Sequence, residues 1–484
     1  MLRIVMAAAS ALIANSPAKI APIYTHKPSE ALSNSGTIEK VLSHNNFESY
    51  QPKSLTMKNC IVIAIKRNPA LLANYNLIQQ NEWNLISARR QWFPTLNLGS
   101  TIYGGQTSFQ SLHKTNKTQA IYNSYQQSLP SLNLSWYFLN PTIQPNVDSK
   151  LALLRAQRFT YDYIARGLIL QVQTAYINVQ SSQQLIKAYR DIYYNNKKQV
   201  DYLTAQLAKG MIDIGALEQS KTTMYQQLAS LVQYQQQLVS QASTLAQLLG
   251  YIDNTIILAS DPLNSKEQWL VSLEETIENA RRSREEIKAY LQTADSYRWN
   301  ARTLLNSYLP SFYINYIASG NFQSGCLNEK NPSSCPNTPS TNNQLNNSLN
   351  LGITWLFDGG QNAASANSSK SAATANENFA KNAETQAVQE VKTSYALYKN
   401  NDLALKLASK QLLSAQITSH VTSERFRVGI GDVTTLVQAQ QLLSSAVQTR
   451  VQTLQQYNLA IAQLYRYSAL FPLMSTIEIL EAVN

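Results

Sequence analysis

The sequence VQTAYINVQ at residues 172–180 returns as VKTSYALYK at residues 391–399. The glycine-containing stretch AKGMIDIGAL at residues 208–217 returns in the same way as RVGIGDVTTL at residues 427–436. Both pairs are offset by 219 residues. Because two separate stretches share one offset, the chain is predicted to contain a duplicated unit.

A second pair of matches extends the duplication toward the start of each copy. Trp83 and Pro94 correspond to Trp299 and Pro310, with 216 residues between partners. Solenoid proteins repeat every 20 to 50 residues or so, and this unit is far too long for that class. The sequence therefore predicts two copies of one large unit, each in the order helix, strand, loop, strand, very long helix, tight turn and helix.

A seven-residue stride marks the long helix of each copy. In the first copy it runs through Val172, Val179, Ile186, Tyr193, Val200 and Leu207, and in the second through Val391, Tyr398, Leu405, Leu412, Ser419 and Phe426. A sustained stride of seven is typical of coiled coils rather than of isolated amphipathic helices. Most of the remaining helix surface is polar and uncharged, so these helices can pack on neighbours while another face meets water.

The predicted helix lengths indicate how the helices are arranged. A helix over residues 143–209 is about 100 Å long at about 1.5 Å per residue. The helices predicted at 55–91 and 217–250 are each about half that length. The second copy repeats this with 361–428 as the long helix and 272–309 and 433–470 as the shorter ones. A wall of long helices alternating with end-to-end pairs follows.

The strands are predicted at 95–104 and 131–139 in the first copy and at 311–319 and 347–357 in the second. Leu132, Leu134 and Trp136 are apolar and alternate with Asn133 and Ser135. This alternation fits a half-buried soluble sheet as well as strands that span a membrane. Four strands cannot close a barrel, and open edges are not tolerated in lipid, so spanning strands would require several chains to share one barrel.

In this arrangement the sequence resembles the TolC family of outer-membrane efflux ducts. The resemblance rests on the duplicated order of elements, on LFDGG at 356–360 between strand and helix, and on RVGIGDV at 427–433 in the far helical turn. It implies a mainly α fold with a transmembrane β-barrel part, in which duplicated long-helix hairpins form an α-barrel tunnel. It further implies a homotrimer in outer-membrane lipid whose four strands per chain make a twelve-stranded barrel.

The resemblance also implies where partners bind. The helical tips would dock a periplasmic membrane-fusion adaptor, which links the duct to an inner-membrane transporter. The residues expected at this docking tip are Gly210, Met211, Phe426, Gly429 and Ile430. The expected function is the exit duct of a tripartite efflux pump or a type I secretion system; the alternative is a structural coiled-coil envelope protein without transport activity.

Two sites differ from the family pattern. Members of the family carry acidic residues that ring the narrow entrance, but the corresponding positions here are Thr435 and Gln438. Asp213 and Asp432 lie closer to the turns and are candidates for a substitute ring. The first copy also has Asn140 and Pro141 in place of the DGG corner; proline is well tolerated in the first turn of a helix, so the corner can still form.

Composition is consistent with an envelope protein. The chain has 484 residues, is 14% charged and carries a net charge of +11. Its basic residues are spread along helix faces without interleaved aromatic residues, which does not favour nucleic-acid binding. No run of 18 apolar residues occurs, so no transmembrane helix is expected. Residues 1–18 resemble a short signal peptide.

The remaining organisation follows from these elements. An irregular leader is predicted at 19–54, the first repeat at 55–250, a linker at 251–270, the second repeat at 271–472 and a C-terminal tail at 473–484. Cys326 and Cys335 lie in a loop that the barrel interpretation places outside the cell, where they form either a disulfide or two free thiols. Cys60 lies on a helix and is interpreted as a packed small residue.

Catalysis finds no support in the sequence. The four histidines are scattered, with no spacing suited to a metal and no nucleophile constellation, so no metal or cofactor is expected. The densest carboxylates, Glu274, Glu275, Glu285 and Glu286, are interpreted as surface ion pairs. The sequence thus indicates a passive duct rather than an enzyme.

Overall fold

The computed structural model describes residues 49–114, 117–265, 268–329 and 340–470. The chain divides into two compact units, residues 1–51 and 52–484, and nearly all described residues belong to the second. The predicted signal peptide, residues 19–48 of the leader, Cys335 and the tail lie outside the described residues.

The described helices follow the duplicated order predicted from the sequence. The first copy contains α1 (Met57–Arg67), α2 (Pro69–Arg90), α3 (Ile143–Ala208) and α4 (Ile214–Leu248). The second contains α5 (Leu273–Ser283), α6 (Glu285–Asn306), α7 (Gln361–Arg427) and α8 (Val433–Tyr467). The long helices α3 and α7 have 66 and 67 residues, so each is about 100 Å long as predicted.

The first helical segment of each copy is broken, which the sequence prediction missed. Asn68 separates α1 from α2 in an extended conformation because proline at position 69 disfavours a helical residue before it. Its side-chain oxygen accepts hydrogen bonds from the Ala70 and Leu71 amides and caps α2. Arg284, 216 residues later, breaks the second copy at the equivalent place between α5 and α6.

The buried stripe of α7 consists mainly of small residues. It recurs every seven residues, at Ala366, Ala373, Ala380, Ala387, Ser394, Ala408 and Ala415. Small side chains let neighbouring helix backbones approach closely, so this stripe positions α7 against α6 and α8. In α3 the same stride carries larger side chains, and Val172, Val179, Ile186, Tyr193 and Val200 are all buried.

Four long strands form one antiparallel sheet. They are β2 (Thr95–Lys114), β3 (Lys117–Leu139), β5 (Ser311–Glu329) and β6 (Ser340–Thr354), in the spatial order β2-β3-β5-β6. Three begin or end where the sequence predicted, but all four extend further from the helices. The exception is β6, which ends at Thr354 and leaves Trp355 and Phe357 outside the strand.

The register of the sheet collects the alternating residues on two opposite faces. Leu96 of β2 lies opposite Leu134 of β3, and Tyr316 of β5 lies opposite both Leu134 and Leu349 of β6. The neighbouring row on the other face contains Thr95, Ser135, Asn315 and Asn350. The sheet therefore has one apolar face and one polar face, as the alternation predicted.

A second sheet corrects the prediction for the leader and the linker. Strand β1 (Gln51–Leu55) pairs with β4 (Thr255–Ala259), so neither segment is irregular throughout. Further along the linker, Trp269 is buried against α7 and α8. Its backbone amide donates to the Tyr398 hydroxyl, and its ring meets that of Tyr465 edge-on. The linker is thus part of the helical core.

Two carboxylates expected on the surface are in fact buried. Glu285 forms an ion pair with Arg166 of α3 at 2.7 Å, with both side chains nearly inaccessible. Glu286 pairs with Arg284 at 2.8 Å, and Arg284 also lies 2.5 Å from Glu390 of α7. Sequence periodicity could not identify this cluster because its members come from three different helices.

Within the described ranges, no helix combines the length and the apolar character needed to cross a bilayer.

Candidate docking site at the helical tips

Both helical tips have the same backbone geometry. At the end of α3, the Gly210 amide donates to the Leu207 carbonyl and the Met211 amide to the Gln206 carbonyl. At the end of α7, the amides of residues 429 and 430 donate in the same pattern to residues 426 and 425. This is the Schellman arrangement, in which the residue after the cap takes a left-handed conformation that suits glycine.

The left-handed residues are the two glycines expected from the sequence. Gly210 has φ of 70° and Gly429 has φ of 82°. A side chain at either position would meet open space, so the need for glycine is conformational rather than steric. Both turns are consequently tight and project the next residue away from the helix axis.

That next residue is apolar and exposed in both tips. Met211 is 68% exposed and Ile430 is 80% exposed. In a Schellman turn this position usually packs against a hydrophobic residue one turn back in the helix. Here the residues one turn back are Gln206 and Arg425, and the apolar side chains remain uncovered in the single chain.

Two further exposed apolar residues belong to the same surface but were not selected from the sequence. Val428 lies directly before Gly429, and Ile214 is the first residue of α4. We define the docking tip as Met211, Ile214, Val428 and Ile430. A branched residue beside a turn glycine in RVGIG was the available signal for Val428.

Phe426 does not belong to this exposed surface. It is only 7% exposed and its ring meets that of Tyr202 edge-on, with 6.1 Å between centroids. The Tyr202 hydroxyl also donates to the Arg427 carbonyl at 3.4 Å and accepts from Gln206. Phe426 and Tyr202 therefore hold the two tips together, a role that only the packing of the two copies reveals.

The two aspartates near the turns cap helices. The Asp213 carboxylate accepts from the Ala216 amide at 3.1 Å, and the Asp432 carboxylate accepts from the Thr434 amide at 3.0 Å. Both side chains are exposed, as are Thr435 and Gln438 one turn further along α8. Helix capping accounts for both aspartates without an acidic ring.

The seam between the two hairpins is formed by neutral side chains. Gln455 of α8 contacts Asn178 and Ser181 of α3 at 2.6 and 3.1 Å. Nearer the tips, Gln440 donates to Gln199 at 3.1 Å. These contacts align α3 with α8 and thereby set the relative position of the tips.

At the other end of the long helices, the corners between sheet and helices are also duplicated. The Trp136 indole donates to the Trp92 carbonyl, and the Trp355 indole donates to the Tyr308 carbonyl. The second corner adds Asp358, which accepts from the Tyr308 hydroxyl at 2.7 Å and from the Gly360 amide. The hydrogen bond from Tyr308 lowers the pKa of the Asp358 carboxyl and raises the pKa of the Tyr308 hydroxyl.

The predicted disulfide is described in part. Cys326 of β5 is disulfide-bonded. Its expected partner, Cys335, lies outside the described residues, so the pairing stays a prediction. Cys60 is a free thiol, and its burial raises its pKa to about 12, which suits a packed residue better than a reactive one.

A search for a metal centre in the described part of the chain finds no group of three or more His, Cys, Asp or Glu side chains placed to hold an ion.

Comparison with known proteins relates this geometry to one family. The family described as outer membrane efflux protein matches residues 60–251 and 276–469, which correspond closely to the two copies. None of the curated protein sequences matches the chain. The family match therefore rests on the pattern of the whole duplicated unit rather than on one near relative.

Solved structures share the fold at low sequence identity. The CmeC outer membrane channel of Campylobacter jejuni is 13% identical and has a TM-score of 0.68, with 88% of each chain covered. CusC is 17% identical with a TM-score of 0.67, covering 86% of this chain and 92% of its own. The open-state MtrE outer membrane channel of Neisseria gonorrhoeae is 16% identical with a TM-score of 0.60, covering 85% and 88%.

Proposed function

We propose that this chain, which belongs to the outer membrane efflux protein family, assembles as three copies into an exit duct that crosses the outer membrane. The observation that carries the proposal is the open sheet. Its outer strands, β2 and β6, each have one partner within the chain. Because unpaired strand edges are not tolerated in lipid, the edges of one copy must pair with those of the next.

Three is the smallest number of copies that leaves a channel. Two copies would give eight strands, and side chains fill the interior of a barrel of that size. Three copies give twelve strands and room for an aqueous lumen. The helices then continue as a tunnel through the periplasm, where the long helices alternate with end-to-end pairs.

The apolar face of the sheet has the height of a bilayer core. Along β5 it extends from Phe312 to Phe322, with Ile353 and Ile102 in the end rows of the edge strands. Ten residues at about 3.3 Å each, tilted by about 40°, span about 25 Å. The exposed aromatic residues Trp92, Phe93, Trp355 and Phe357 lie at the corner, where a membrane interface favours such side chains.

Further contact between copies is expected along the long helix α7. Its exposed apolar residues are Leu403, Leu407, Leu413, Ile417 and Val421, and their spacing places them on one stripe. A stripe of this kind on a periplasmic helix requires a partner. The helix that closes the ring in this arrangement is α4 of the adjacent copy.

The docking tip supports a periplasmic adaptor as the second partner. Its four apolar residues lie at the far end of about 100 Å of helix from the sheet and are uncovered in the single chain. A rigid backbone that projects apolar side chains suits a hydrophobic docking contact. The adaptor would connect the duct to an inner-membrane transporter of either a tripartite efflux pump or a type I secretion system.

The first experiment tests assembly. The full-length protein, extracted in a mild detergent, is expected to have the mass of three chains by light scattering corrected for bound detergent. A stable, folded monomer under these conditions would contradict the shared barrel. Outer-membrane fractionation of the same cells checks the location independently.

The second experiment tests the tip. Ile430→Asp is expected to abolish export and to prevent photo-crosslinking from the neighbouring position Val428 to an envelope protein, while the trimer persists. Ile252→Asp provides the matched control because Ile252 is fully exposed and lies at the opposite end of α4. Normal export by Ile430→Asp and Met211→Asp, at normal abundance, would place the docking contact elsewhere.

A further inference from the structure

The polar face of the sheet is lined by amides and hydroxyls. Its successive rows carry Asn97 and Asn133, then Ser135 with Asn315 and Asn350. The side chains hydrogen-bond along this face: Ser135 contacts Asn315 at 3.2 Å, and Gln127 donates to Asn321 at 2.9 Å. The face is thus a neutral surface with its own hydrogen-bond network.

The sequence of the strands is neutral over the same length. The stretches 91–112, 118–147, 303–328 and 340–357 contain no Asp, Glu, Lys, Arg or His, although the chain is 14% charged. A lipid-facing surface must exclude charge, which explains the apolar face. The same requirement does not apply to a face that lines water, where charged residues commonly tune selectivity.

From this neutral face we infer that the part of the duct within the outer membrane does not discriminate cargo by charge. The inference rests on the proposed function, because it requires the polar face to line the lumen. Cationic, anionic and neutral solutes would pass this segment alike, with amides and hydroxyls replacing some of their hydration. Any selection by charge would be made in the helical tunnel, where the ionisable residues of the chain lie.

The local electrostatic potential of the lumen can be measured with a single cysteine. Asn315→Cys is introduced in a Cys60→Ala background, with Cys326 left disulfide-bonded so that it does not react. Reaction rates are compared for two methanethiosulfonates, one carrying a trimethylammonium group and one carrying a sulfonate. Both reagents attack the same thiolate, so the ratio of their rates reports potential rather than thiol pKa.

The expected ratio for Asn315→Cys is that of a small free thiol, within about twofold. Asn350→Asp added to this variant is the positive control because residues 315 and 350 are paired across β5 and β6. One carboxylate about 5 Å away should favour the cationic reagent by about three- to tenfold at low salt. This control shows that the assay would have detected a charged lining.

The outcomes separate this inference from the proposed function. A strong preference of Asn315→Cys itself for either reagent would overturn the neutral lining and leave the duct intact. Ile314→Cys, on the apolar face, is expected to resist both reagents in the membrane. If Ile314→Cys reacts and Asn315→Cys does not, or if neither position reacts, the polar face does not line an open lumen and the proposed function fails with it.

Discussion

Replacing Arg284 with glutamine should destabilise the fold more than the loss of any surface ion pair. The guanidinium is 3% exposed and uses its whole fork: Nε donates to the Tyr467 carbonyl at 3.1 Å, Nη1 lies 2.8 Å from Glu286 and Nη2 lies 2.5 Å from Glu390. Arg284→Gln would leave two carboxylates side by side without their cation.

The magnitude follows from the exposure of those carboxylates. Breaking a fully buried ion pair costs about 3–5 kcal/mol. Glu390 is 41% exposed and can regain some hydration, so we expect about 2–4 kcal/mol here. Unfolding a chain of this size has an entropy of roughly 1 kcal/mol per kelvin, and the melting temperature should therefore fall by about 2–4 °C.

The assay is thermal unfolding of the purified protein in detergent, followed by circular dichroism at a helix-sensitive wavelength. Arg281→Gln is the matched control because Arg281 lies one turn earlier, is half exposed and also pairs with glutamates. An exposed pair of this kind contributes about 0–1 kcal/mol, so the control should melt within about 1 °C of the natural protein.

A double mutant tests the mechanism. Adding Glu390→Gln to Arg284→Gln removes one of the orphaned carboxylates and should recover part of the lost stability, since contacting residues are coupled by about 0.5–3 kcal/mol. Equal melting temperatures for Arg284→Gln and Arg281→Gln, or strictly additive effects in the double mutant, would refute the account of this cluster.

Three further predictions concern the corner, the loop and the first-copy cap. Asp358→Asn should lower the melting temperature at pH 7; because the folded-state pKa of Asp358 is lowered, its stabilisation is present above its ordinary value of 3.8 and is lost as the pH falls further, so the two melting curves should converge in acid. Non-reducing peptide mapping should recover Cys326 joined to Cys335, and separate peptides would contradict the pairing. Asn68→Ala removes a helix cap and a hydrogen bond to the Leu248 carbonyl, and should cost about 1–3 kcal/mol by thermal unfolding, whereas Asn74→Ala on the exposed face should cost less than 1 kcal/mol.

The comparison of Asn68 with Arg284 shows where duplication stops being informative. Both residues break the first helical segment of their copy, and both donate to the carbonyl at the equivalent end of the following hairpin, Leu248 and Tyr467. Only Arg284 is surrounded by carboxylates, which come from α6 and α7. The offset predicted the equivalent backbone positions, but no repeat pattern could predict a charge cluster present in one copy alone.

The sequence by itself determined the features that depend on local physics. The seven-residue stride set the long helices, Gly210 and Gly429 set the turns, and alternation set the two faces of the sheet, since each is decided by residues close together in the chain. Tertiary structure decided what depends on residues that are distant in sequence. It buried Phe426 against Tyr202, seated Trp269 in the core of the second copy, paired Glu285 with Arg166 and joined the leader to the linker in a second sheet. Side-chain burial and ion pairing depend on which elements meet in space, and periodicity along the chain does not contain that information.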